Sequence, residues 1–239
     1  MIPAGGAAPL SEDEYWRYFD IIRNDVNAAM VSCYTHRAIN DFAVKDEDIR
    51  RKLNRHAEFW RVSSFSLQTT LFIVLARILD HDPDVHSIHR VLHATTAHPE
   101  LFSRPALRAR KLSIPSPPWD MNFLDKYIQN AWEPSVQDLR AMKKALSPHK
   151  TKFDAIYRPI RNQIAHIILK DQTVIADLYS KTQKTDIDEI LCFLHNLICA
   201  IKELAINAVR PNLDGDHHGY ARRVAEITGS TETLLRHLP

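Results

Sequence analysis

"YRPIRNQIAHIILKD", Tyr157 to Asp171, places isoleucines at helical spacing on one side and "RNQIAH", Arg161 to His166, on the other. At about 100° per residue, Phe153, Ile156, Tyr157, Ile160, Ile164, Ile167 and Ile168 gather within about 120° of arc, enough to bury one side of a helix in a bundle. Asn162 and His166, four residues apart, lie about 40° from each other on the opposite side, with Arg158 close by and Arg161 at the border. Small Ala165 between them leaves a shallow polar dent into which a phosphate fits. Arg161 and His166 themselves are a five-residue step apart, about 140° in an ideal helix, so one copy of the segment does not bring both onto one face. Two copies meeting across a twofold axis would surround a single cleft with two arginines and two histidines. The same six residues also read as an ordinary solvated helix face, because Arg and His are common surface residues.

The chain around this segment has 239 residues, which suits one domain with an elaboration and is long enough to bury its own core. With 45% apolar and 25% charged residues it has a globular balance, and its longest uninterrupted apolar runs are too short to span a bilayer. The start "MIPAGGAAPL" lacks the charged and apolar parts of a secretory signal, so residues 1–10 read as a disordered leader and the protein is expected in the cytoplasm. Cys33, Cys192 and Cys199 are odd in number, without CxxC spacing, and read as reduced thiols of the core. A formal charge of +2 neither demands nor excludes nucleic acid. The glycines are more informative: Gly5, Gly6, Gly215, Gly219 and Gly229 leave more than two hundred consecutive residues without one. Phosphate loops and dinucleotide-binding turns need glycine where the backbone approaches a phosphate, so those nucleotide-binding modes are excluded.

The pattern predicts an all-α bundle. Ser11 with Glu14 is a capping box, followed by Tyr15, Phe19, Ile22, Val26, Ala29 and Cys33 at helical spacing. A second helix is expected from Asp46 to Leu79, ended by Pro83, and a short third one over Val85–Thr96. Residues 97–119 hold five prolines around "RPALRARK" and are expected to be mainly a long connection. Short helices over Asn122–Ala131 and Ser135–Leu146 are followed by the motif helix, from about Thr151 to Lys170. Thr185 with Asp188 is expected to cap a last strong helix, with Ile187, Ile190, Leu191, Leu194, Ile198, Ile201 and Leu204 as its face. Residues 11–210 form the helical domain in this reading, and 211–239 a tail with room for a short helix.

"RNQIAH" resembles the arginine, four-residue gap, histidine signature of the HEPN superfamily, all-helical domains of toxin–antitoxin, abortive-infection and CRISPR-associated ribonucleases. Its place late in the chain, after two long helices and before another amphipathic one, is similar to a HEPN bundle. The region from Ser11 to about Arg210, with "LFIVLARILDHD" at Leu71–Asp82 and the proline-rich insertion, resembles the AbiU-type abortive-infection branch. The resemblance implies cleavage of RNA without metal or other cofactor, by attack of the 2′-hydroxyl on the adjacent phosphate. His166 would be general acid or base, Arg161 would stabilise charge on the phosphorane, and Asn162, supported by Arg158, would orient the phosphate or His166. It also implies a homodimer with the cleft between protomers, and an antitoxin or other defence partner protein. Some members of the superfamily keep the motif without cleaving, so the alternative is a non-catalytic module that binds nucleic acid, nucleotide or protein through the same face.

Three other groups of residues carry chemistry. His86, His89 and His93 fall on one side of the third helix, where they would bind zinc or simply form a basic strip beside Val85, Ile88 and Leu92. Arg104, Arg108, Arg110 and Lys111 make the insertion basic, and Lys143, Lys144, Lys150 and Lys152 add charge before the motif helix; both groups would steer RNA or stay solvated. The carboxylates of "DEDI" and "TDIDE" sit near helix starts, where the helix dipole accounts for them. No nucleophile sits in a turn that would support a hydrolase triad.

Overall fold

In the computed structural model, which describes residues 11–82, 84–115, 120–167 and 183–238, with the backbone alone for 155–167, Ser11 opens the first helix as its spacing predicts. The Ser11 Oγ accepts from the Glu14 amide at 3.2 Å, while the Glu14 carboxylate accepts from the Ser11 amide at 3.0 Å. From that box α1 runs over Glu12–Lys45, and all six of its expected apolar residues are buried. No strand occurs among the described residues, so the all-α expectation holds. The expected leader, residues 1–10, lies outside them.

The second helix is two helices. α2 covers Glu47–Arg55 and α3 covers Ala57–Ile78, with His56 between them at φ −126°, ψ 43°. Asp46 starts α2 by accepting from the amides of Asp48 and Ile49 at 3.0 and 3.2 Å. The apolar stripe is shared between two clusters. Ile49 and Leu53 pack with Ile39 and Leu235, whereas Leu71, Leu75 and Ile78 enter the main core beside α1. Trp60 and Leu67 of α3 side with the first of these clusters, so α3 itself touches both. α3 is also long and apolar enough, by length and composition alone, to cross a membrane, although its apolar residues are interrupted by polar ones. It carries Glu58, Arg61 and Arg77, its C-terminal half is buried in the bundle, and Arg77 makes a two-armed ion pair with Asp25 of α1.

α4 spans Ile88–Ala97, starting three residues later than expected, and hangs on α1 through a buried bond between Tyr15 and Thr95 at 2.8 Å. Residues 97–119 are more ordered than their prolines suggest. A 3₁₀ turn at Pro99–Phe102 leads into α5, Arg104–Leu112, whose N-cap Ser103 and first-turn Pro105 are favourable start signals. α6 is Met121–Asn130. α7 runs unbroken over Val136–Ile167 and so joins two helices expected to be separate. Pro148 lies inside it and removes one backbone bond, at a cost of about 3 kcal/mol. Burial of Leu139, Met142, Leu146 and Phe153 on both sides of the proline offsets that cost.

α8 is Lys184–Asn207, and every residue of its predicted face is buried. Its cap differs from expectation: Gln183 is the N-cap, and no side chain caps the start. The tail is not loose, because α9 covers Tyr220–Arg236 and buries Ile227, Thr231 and Leu235. The core thus lies between α1, α3, α4, α7 and α8, with α9 closing the open side of α1.

Candidate functional site

α7 owes its start to a second capping box. The Ser135 amide and hydroxyl donate to Asp138 at 2.9 and 2.6 Å, and the Asp138 amide donates back to the Ser135 Oγ at 3.2 Å. These bonds hold the Asp138 carboxyl below its ordinary range. Toward the motif the helix is tied to its neighbours: His149 stacks on Phe193 of α8 with ring centres 4.1 Å apart, and Lys152 reaches Glu189 at 2.6 Å and Asp186 at 3.4 Å. Lys150 pairs with Asp154 along the helix at 2.9 Å. "TDIDE" is therefore a set of ion-pair partners and not a cap.

Beyond Asp154 the backbone stays α-helical through Arg158, Arg161, Asn162 and His166 to Ile167. The side chains of these four residues, and everything from 168 to 182, lie outside the described residues. The helical path sets their angular order: Asn162 and His166 one turn apart, Arg161 and His166 separated by about 140° and about 7.5 Å along the axis.

The basic residues expected to gather RNA have been put to structural use. Arg104 donates to the Ala131 carbonyl at 2.9 Å, and Arg108 pairs with Asp125 at 3.1 Å. Arg110 pairs with Glu12 at 2.7 Å and donates to the carbonyls of Ala205 and Leu101. Lys111 is 8% exposed and donates to Asn207 at 2.9 Å. Together they fasten the insertion to α1, α6 and α8. Lys143 and Lys144 remain exposed on α7.

The three histidines do not form a strip. His86 precedes the Ser87 N-cap of α4 and lies against Tyr18, His89 stacks on His81 with ring centres 3.9 Å apart, and His93 is exposed. Among the described residues no group of three or more His, Cys, Asp or Glu is placed to hold a metal. Burial and the nearby His81, Lys150 and Lys143 push His89 down to about 4, so its imidazole is neutral at ordinary pH.

One polar cluster escaped the sequence reading. Asp188 accepts from Tyr34 at 2.6 Å and from Arg37 at 2.5 Å, and the Tyr34 hydroxyl also meets that of Tyr220. Burial pushes both phenols up, so they remain protonated hinges between α1, α8 and α9. Beside them a cavity of about 180 Å³ is lined by Cys33, His36, Arg37, Gln68 and Lys184. Burial, then Arg37 and Lys184, lowers His36, while burial pushes the Cys33 thiol up to about 12. Nothing local in the sequence marks this cluster, because Tyr34, Asp188 and Tyr220 come from three separate segments.

No family model, curated protein or solved structure matches this chain.

Proposed function

We propose that the chain is a HEPN-type endoribonuclease of a prokaryotic defence system, acting in the cytoplasm as a homodimer, either as an abortive-infection effector or as the toxin of a toxin–antitoxin pair. One observation supports this reading above the rest: α7 is uninterrupted through "RNQIAH" and belongs to an all-helical bundle. A continuous helix keeps Arg161 and His166 on different faces, so one copy offers half a site and a second copy completes it. In the cleft, the 2′-hydroxyl of RNA attacks the adjacent phosphorus and loses its proton to a base. The bond to the 5′-oxygen breaks, that oxygen takes up a proton, and the products are a 2′,3′-cyclic phosphate and a 5′-hydroxyl. His166 carries a proton in this exchange, Arg161 stabilises the added negative charge through its planar fork, and Asn162 orients the phosphate with Arg158 beside it.

The test is incubation of the purified chain with total RNA in the presence of chelator, beside an Arg161→Ala/His166→Ala variant. Cleavage by the wild type alone, with cyclic phosphate ends, is the expected result. Equal RNA binding by both proteins with intact RNA in both would replace the enzyme with the non-catalytic binding module.

A further inference from the structure

Away from the motif helix, α1, α8 and α9 enclose a half-open groove of about 290 Å³, near the lower end of the ~300–1,000 Å³ typical of small-molecule sites. Its floor is aliphatic: Val26 and Met30 of α1 face Ile198 of α8. Its rim is cationic, with Arg23 on α1, Lys202 on α8 and Arg223 on α9.

These cations are available. Arg23 pairs with Asp20 at 3.0 Å, but both side chains are about half exposed, and such pairs along one helix contribute little. Arg223 pairs with Glu226 at 3.2 Å in the same way and donates to the Asn27 Oδ1 at 2.9 Å. Lys202 is exposed and has no ion pair among the described residues. Three cations against two weakly held carboxylates make an anion site, and the arginine forks suit a carboxylate or phosphate head.

The lining also limits the body of the ligand. None of its residues is Phe, Tyr or Trp, so nothing offers the stacking face on which nucleobases rest. Cys199 and His195 lie at the edge, 3.7 Å apart, yet the His195 Nε2 must carry hydrogen to donate to the His218 carbonyl at 3.1 Å and cannot accept the thiol proton. The groove is built to bind and not to react.

We infer that this groove takes a small aliphatic anion, with its alkyl chain against Val26, Met30 and Ile198 and its carboxylate or phosphate head on Lys202, Arg23 and Arg223. This inference stands apart from RNA cleavage, because it is read by binding alone.

Titration calorimetry on the full chain with butanoate, hexanoate and octanoate tests it, with hexyl phosphate and AMP for comparison. Affinity should rise about fourfold per methylene until the groove is filled. It should fall at least about tenfold in Lys202→Glu, stay unchanged in Lys126→Glu on α6, and weaken with salt. Both substitutions are at exposed positions, and a thermal melt confirms that each variant folds. Hexyl phosphate against hexanoate identifies the preferred head group. No binding of any alkyl anion at millimolar concentration overturns the inference, as do affinities independent of chain length, affinities unchanged by Lys202→Glu, or AMP binding more tightly than octanoate.

Discussion

Asp25 and Arg77 join α1 to α3, and the two ends of the pair should respond unequally to mutation. The Asp25 side chain is 11% exposed, whereas that of Arg77 is 49% exposed. Arg77 Nε donates to one carboxylate oxygen at 2.8 Å and Nη2 to the other at 2.5 Å. In Arg77→Ala the carboxylate stays buried without its cation, a situation that costs about 3–5 kcal/mol. In Asp25→Ala the guanidinium turns into solvent it already half occupies, so the loss is that of charged hydrogen bonds, about 1.5–3 kcal/mol. At about 2–4 °C per kcal/mol for a chain of this size, the first change lowers Tm by about 6–20 °C and the second by about 3–12 °C. Urea unfolding followed by circular dichroism at constant pH measures both, and the double variant gives their coupling. Equal losses in the two single variants, or a larger loss in Asp25→Ala, would refute the argument from burial.

His89 gives the chain a pH dependence with a definite sign. Its folded value of about 4 lies below the ordinary 6.5, so the unfolded chain binds the proton first, and stability present above about pH 6.5 is lost as pH falls toward 4. Because the ring is only about half buried, the loss is discounted to about 1–2 kcal/mol. Urea midpoints at pH 7 and pH 5 should differ less in His89→Gln than in the wild type; identical differences would exclude His89 as the source. Leu235 is fully buried against Ile39, Ile49 and Leu53, so Leu235→Ala should cost about 2–5 kcal/mol, and a loss below about 1 kcal/mol would mean that α9 is loosely attached. If the ribonuclease cleft is shared between protomers, an equal mixture of inactive Arg161→Ala and His166→Ala chains should recover about a quarter of wild-type cleavage, since half of the dimers then hold one intact composite site. Recovery of none would place a complete site in each chain.

Much of the helical framework was legible because its signals are local. Ser11 and Glu14 are three residues apart and satisfy each other wherever the helix goes, and the α8 stripe from Ile187 to Leu204 is buried in full. The misreadings share a cause. Ser135–Leu146 and Thr151–Lys170 were expected as separate helices, but α7 runs on through Pro148, whose cost is smaller than the gain from burying Leu146 and Phe153 against other helices. Thr185 and Asp188 matched a capping pattern, yet Asp188 is drawn away by Tyr34 and Arg37, some 150 residues earlier in the chain. The basic run of the insertion looked like an RNA surface, and its partners Glu12, Asp125 and Asn207 come from three separate segments. The spacing of "RNQIAH" is legible in the sequence, and by itself it also reads as a solvated helix face.

By itself, then, the sequence determined the all-α class, the α1 cap, the core face of α8 and the order of Arg161, Asn162 and His166 along one helix, because helical period and capping act over a few residues. Only the tertiary structure decided where the second helix breaks, that α5 and α9 are integral, which charges are already paired, and that Arg23, Lys202 and Arg223 meet over an aliphatic floor. Burial and ion pairing depend on distance in space, and residues far apart in sequence carry no local mark of the neighbours they will meet.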